Sequence, residues 1–134
     1  MKSLYRAADG SLQFKTNIRK VAKTADATAG ATTLTASMLL SGLIMRTGPT
    51  GAYADTTPTA TEILAAMGAP EIGDSFEFTH VNGVAYACTL TAGTGVTLAG
   101  TTANAASKVR RYLVTVTATS TPAVLITGIG EMVA

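Results

Sequence analysis

The sequence predicts a mainly β domain, a sandwich or barrel of short strands with one helix set into it. Three observations lead there. Runs with period-two alternation, such as Phe76/Phe78 and Tyr86/Cys88/Leu90, mark strands with one buried face. Turn-forming clusters of small and polar residues interrupt those runs about every 8 to 12 residues, the spacing of all-β architectures. One stretch, Thr59 to Gly68, carries helix start and stop signals instead.

At 134 residues the chain is long enough for one real core and too short for two. Charged residues make up 13% of it, about half the usual share. Ala and Thr dominate and Trp is absent, so the core layers are thin and each buried residue contributes little. Stability is therefore expected to depend partly on association with other chains. The lone Cys88 excludes an internal disulfide and argues against a cysteine-ligated metal cluster; a small buried hydrophobe is its expected role. No apolar run of the signal-peptide kind occurs in Met1 to Gly10. Met38 to Met45, interrupted by Ser41-Gly42, is too short to span a bilayer, so a soluble protein made in a cytoplasm is expected.

The net charge of +2 hides an asymmetry. Up to residue 23, Lys2, Arg6, Lys15, Arg19, Lys20 and Lys23 face Asp9 alone, while from Thr24 onward four basic residues face seven acidic ones. Residues 1–27 are expected to form a basic arm and linker, and 28–134 a single β domain. Within the arm, Leu12 and Phe14 suit a short strand over Ser11 to Lys15, whereas Phe14, Ile18 and Val21 suit a helical face equally well. Its basic residues are dispersed with little aromatic interleaving, which favours docking to another protein over binding nucleic acid. Thr24 to Gly30, small and polar, suits a linker.

Ala31 to Arg46 predicts a short strand near Thr33-Leu34, a turn from Thr35, and a strand from Gly42 to Arg46. Thr47 to Gly51 is a loop by composition, extending through Tyr53 to Thr57. Thr59 and Glu62 form a capping box ahead of Ile63, Leu64 and Met67, with Gly68 as terminator and Pro70 beyond. Next come two alternating runs around Asn82-Gly83, a strong hairpin signal. A three-residue loop with Gly83 as a left-handed bulge places Phe76, Phe78, Tyr86 and Cys88 on one buried face, whereas a one-residue slip splits them. Lys108 to Ala118 alternates cleanly, with Arg110, Tyr112, Val114 and Val116 on one face. A turn at Thr119 to Pro122 leads into a last strand over Val124 to Ile129.

Chemistry-bearing patterns are few. Gly93, Gly95 and Gly100 lack the spacing of a phosphate loop. His80 is the only histidine and is expected at a strand edge near the hairpin end; Ser75 falls on the opposite face of that strand. Asp74 and Glu77 also point apart, and only Asp55 and Glu71 fall in loops where metal ligands could converge. No catalytic, cofactor or metal site is expected, and the chain does not read as an enzyme. Arg110-Arg111 is a tight basic pair, able to contact an acidic partner.

Several runs nonetheless carry a resemblance: Thr33-Leu34-Thr35-Ala36, Gly42-Leu43-Ile44-Met45-Arg46, Thr57-Pro58-Thr59-Ala60 leading into Ile63-Leu64-Ala65-Ala66, Gly73-Asp74-Ser75-Phe76-Glu77-Phe78, and Leu90-Thr91-Ala92-Gly93-Thr94-Gly95-Val96-Thr97-Leu98. Over about Ala31 to Gly130 the chain resembles the capsid cement, or head decoration, proteins of tailed bacteriophages. The resemblance implies a small jelly-roll-like β-sandwich with one short helix, about Thr59–Met67, and no cofactor. It implies a structural role on the exterior of the virion capsid, where the chain stabilises a shell of HK97-type major capsid protein, with dimers or trimers expected. Lys15, Arg19, Lys20, Lys23, Arg110 and Arg111 are the candidate partner-binding residues. No nucleic-acid or membrane partner is expected. The competing reading, a tail- or cell-surface-associated carbohydrate-binding module, would need an exposed aromatic platform that a chain without Trp is poorly equipped to build.

Overall fold

The computed structural model describes residues 21–133, and of the N-terminal segment only the backbone of two strands, β1 (Lys2–Arg6) and β2 (Leu12–Thr16). Among the described residues half are strand and 12% helix, so the mainly β expectation holds at that level. β1 and β2 pair antiparallel as a two-stranded sheet of their own. Then follow β3 (Ala22–Asp26), β4 (Thr32–Thr33), α1 (Ala36–Ser41), β5 (Gly42–Arg46), β6 (Tyr53–Thr56), α2 (Ala60–Met67) and β7 (Ser75–Asn82). The chain ends with β8 (Cys88–Thr91), β9 (Val96–Gly100), β10 (Ala103–Asn104), β11 (Lys108–Ala118) and β12 (Ala123–Val133).

Two mixed sheets carry these strands: six strands in the order β3-β5-β7-β11-β12-β9, and four in the order β10-β8-β6-β4. The long β11–β12 hairpin is the spine of the larger sheet, its turn falling at Thr119 to Pro122 as expected. Its alternation sends Arg110, Tyr112, Val114 and Val116 inward, all buried. β7 lies antiparallel to β11 and parallel to β5, with Tyr112 opposite Phe78 and Val114 opposite Phe76. Leu34 and Leu90 meet Phe78, Tyr112, Val114 and Ile126 in one cluster that joins the two sheets. Phe78 and Tyr112 stack at 5.0 Å between ring centroids.

α2 matches its local signals. Thr59 caps it by accepting from the Glu62 amide at 3.2 Å, while Glu62 accepts from the Thr59 amide at 2.8 Å. A second helix, α1, replaces the expected turn at Thr35. Thr35 accepts from the Met38 amide, and Gly42 ends the helix with φ 94°, a left-handed cap that a side chain would oppose. Leu39, Ala60, Ile63 and Leu64 bring both helices onto the core.

Four expectations need correction. The Asn82-Gly83 turn does not close a hairpin: β7 and β8 belong to different sheets, and the turn carries the chain from one to the other. Asn82 and Gly83 have local reasons to turn there. Asn82 Oδ1 accepts weakly from the Val84 amide at 3.4 Å, and the Gly83 amide donates to Arg46 O at 2.9 Å. Gly83 is not among the residues with positive φ; a Cβ there would come within 2.9 Å of Arg46 O, so close approach is its reason. Accordingly Phe78 and Cys88 are buried, but Tyr86 is 43% exposed. Second, Tyr53 to Thr56 is a strand rather than loop, pairing in parallel with β8. Third, Ala22 to Asp26 is an edge strand parallel to β5, so Thr24 to Gly30 is no free linker and the larger sheet begins before residue 28. Fourth, the described residues form two helices in place of one.

Candidate functional site

Period two separates the tight basic pair. Arg110 turns inward, where its Nε donates to Ala103 O at 2.7 Å and its guanidinium lies 3.6 Å from Glu131 Oε1. Arg111 turns outward and pairs with Glu77 at 2.6 Å, both side chains roughly half exposed. Lys23 is exposed on β3, in register with Leu43, which is in register with Thr79 and through it with Arg111. Lys23 and Arg111 therefore share one row on the outer face of the six-stranded sheet, about 14 Å apart at the usual strand spacing. Lys15 lies on β2 with its side chain outside the described part, and Arg19 and Lys20 fall outside the described residues.

The next row of that face is apolar. Met45 is opposite Val81, Val81 opposite Val109, and Val109 opposite Met132. The first three are half-buried, while Met132 is 53% exposed and the adjacent Val133 78%. β9 pairs with β12 only as far as Gly128, so Ile129 to Val133 leave one strand edge unpaired among the described residues.

Between the sheets lies a feature that sequence reasoning missed. The core grades along the strands from apolar to polar: beyond Phe78 and Tyr112, the inward positions become His80, Asn82, Arg110 and Arg46. From the smaller sheet, Tyr53, Asp55, Cys88 and Asn104 face them, and all are buried. Arg46 Nε donates to Asp55 Oδ2 at 2.9 Å with both side chains fully inaccessible. His80 Nε2 lies 3.2 Å from the same oxygen. Asn104 Nδ2 donates to His80 Nδ1 at 2.9 Å and to His80 O at 3.0 Å. An accepting Nδ1 places the imidazole proton on Nε2, where it donates to Asp55. His80 is thus an interior residue, not the strand-edge histidine expected from sequence.

Around this line the polar groups are largely satisfied. Tyr53 donates to Asn82 Oδ1 at 2.9 Å, and Asn82 Nδ2 reaches three carbonyls, those of Tyr86, Asn104 and Ala105. Arg46 also donates to the carbonyls of Asp26, Thr28 and Gly30 and pairs with Asp26 Oδ1 at 2.9 Å, clasping the segment after β3. Burial opposes ionisation of Asp26, yet the Thr28 side-chain and backbone hydrogen bonds and the Arg46 charge hold its carboxyl below the ordinary value. Burial, with Asp55 nearby, pushes the Cys88 thiol up to about 12. Burial likewise raises Tyr53, with Cys88 and Asp55 adding to it. Two buried oxygens, Asp55 Oδ1 and Asn104 Oδ1, have no hydrogen-bond partner among the described residues.

No protein-family model, curated protein or solved structure matches this chain.

Proposed function

We propose that this chain is a capsid cement protein of a tailed bacteriophage, binding the outer surface of a shell of HK97-type major capsid protein and stabilising its lattice. One observation carries the reading: the apolar row Met45–Val81–Val109–Met132 crosses the outer sheet face and ends at the exposed Met132. A row of that kind suits contact with a protein surface, and Lys23 and Arg111 beside it suit acidic neighbours. The separate β1–β2 strand pair, in a segment (residues 1–20) with five basic residues against Asp9 alone, supports a second contact. Contacts that are individually weak become sufficient when a lattice presents many of them.

The sheet arrangement supports the jelly-roll-like β-sandwich part of this reading incompletely. Two sheets share one core, as in a sandwich, but β3–β5, β5–β7, β9–β12, β4–β6 and β6–β8 are parallel pairs, which a jelly roll of antiparallel strands lacks. The carbohydrate-binding alternative gains nothing, because Tyr86 is the only strongly exposed aromatic among the described residues. The testing experiment is cosedimentation with expanded heads built from an HK97-type major capsid protein. Saturation at a fixed ratio to the shell protein supports the proposal, with Val109→Asp and Met132→Asp reducing occupancy while leaving the fold intact. Failure of the intact chain to cosediment overturns it.

A further inference from the structure

We propose that Asp55, His80 and Cys88 form a binding site for a thiophilic divalent cation of the Zn2+ class, set between the two sheets. Each offers one ligand atom, and these atoms all lie within 4.8 Å of one another. His80 Nε2 is 3.2 Å from Asp55 Oδ2 and 3.9 Å from Cys88 Sγ, separations close to those between ligands around a tetrahedral zinc ion. A carboxylate oxygen, an imidazole nitrogen and a thiolate sulfur make a donor set that suits zinc or cobalt and is poor for magnesium or calcium. The inference does not depend on the capsid reading.

Independent support comes from the carboxylate itself. Arg46 and His80 both engage Asp55 Oδ2, whereas Oδ1 is buried and lacks a hydrogen-bond partner among the described residues. A buried, charged oxygen without a donor is costly, and a cation held by both oxygens of the carboxylate removes that cost. Charge points the same way. Asp55 and Asp26 share one guanidinium, that of Arg46, so with a neutral imidazole the group carries one excess negative charge. A divalent ion bound with Cys88 as thiolate brings the group to neutrality.

Binding requires a defined movement of protons. The Cys88 thiol gives its proton to solvent as the sulfur–metal bond forms. The imidazole proton leaves Nε2, which then coordinates, and the ring carries its proton on Nδ1. There Asn104 must accept instead of donate, which turning its amide end for end allows. Asn104 Oδ1, the other buried oxygen without a partner, then receives Nδ1–H, at the expense of the bond to His80 O. A hydrogen-bond acceptor on the far N–H of a ligating histidine is the usual outer-shell arrangement, and the Asn104 amide oxygen supplies one. One proton is released per ion, so affinity rises with pH.

The test uses the full chain without a histidine tag, refolded with Co2+ or Zn2+ and then desalted, because the ligands are closed off in the folded state. The expected result is one ion retained per chain, a thiolate-to-cobalt charge-transfer band for the Co2+ form, and no such band when the chain is refolded with Zn2+ in excess over Co2+. Cys88→Ser, which changes one buried atom, should fold with a similar circular dichroism spectrum yet lose the band and retain no ion. Asp55→Asn should reduce retention as well; if it does not fold, Cys88→Ser alone decides. Absence of retained metal in the intact chain overturns the inference, as does unchanged retention in a folded Cys88→Ser variant.

Discussion

Arg46 and Asp55 lie nine positions apart on strands of different sheets, and their side chains meet at 2.9 Å with neither reaching solvent. Replacing one partner strands the other as a buried charge. Arg46→Met should therefore cost about 3–5 kcal/mol in urea unfolding, and Asp55→Leu a comparable amount. Arg46→Met combined with Asp55→Leu should cost much less than the two single changes added together. Additive losses would show that the pair does not act as a unit.

The Phe78–Tyr112 stack predicts which aromatics of β7 and its surroundings matter. Phe78 is 1% exposed, so Phe78→Ala should cost about 3–5 kcal/mol. Tyr86→Ala, at a position 43% exposed, should change stability by less than about 0.5 kcal/mol. Equal losses at both positions would restore the single aromatic face that the alternation suggested.

That contrast shows where local pattern stops being informative. The capping box of α2 lies within four consecutive residues, so its sequence states its structure. The inward face of β11 was legible for the same reason, since alternation needs no partner. Asn82-Gly83 did mark a turn, but the strand following it joins β6 and β10 instead of β7, a choice made by distant residues. The smaller helix was hidden because Met38, through its sulfur, stands where a capping box places Glu or Gln. His80, Asp55 and Cys88 come from three strands of two sheets, and buried polar residues in alternating strands look the same as solvated ones. Parallel pairs such as β5–β7 need long crossovers, which leave no turn signature to read.

Two carboxyls give acid sensitivity a definite sign. Backbone and side-chain bonds from Thr59 hold Glu62 below its ordinary value of 4.5, and Asp26 is held below 3.8 against the effect of its partial burial. A depressed folded value means a contribution that is complete above the ordinary value and lost as pH falls through the lower one. Glu62→Gln and Asp26→Asn should each flatten the fall of Tm in acid, with little change in that slope near neutrality. Separately, Thr59→Ala should cost roughly 1 kcal/mol through the lost cap. An unchanged acid slope in both charge variants would remove these carboxyls as its source.

Cys88 should be inert in the folded, metal-free chain. It is 2% exposed, and its thiol is pushed up to about 12, so neither access nor thiolate is available near neutral pH. A disulfide-exchange reagent should label it only in denaturant, at a rate set by global or sub-global opening. Rapid stoichiometric labelling of the native protein would mean that the inter-sheet region opens far more readily than its packing indicates.

The N-terminal segment separates shell binding from folding. β1 and β2 pair with each other in a sheet of their own, whereas β3 is an edge strand of the six-stranded sheet and Asp26 at its end holds Arg46. A truncation must therefore stop before Ala22; deleting residues 1–20 removes Lys2, Arg6, Lys15, Arg19 and Lys20 but keeps that strand. The shortened chain should unfold at the same urea concentration as the intact one. On expanded heads it should show reduced occupancy, because it loses five cations and the apolar Leu4, Tyr5, Leu12 and Phe14 together. Single lysine substitutions should be nearly silent, since an exposed ion pair contributes only about 0–1 kcal/mol. Binding by the intact chain should weaken as salt rises, and the truncated chain should show a shallower dependence. Full occupancy by the truncated form, with unchanged salt dependence, would assign binding to the outer sheet face and leave Lys23 and Arg111 as its only candidate cations.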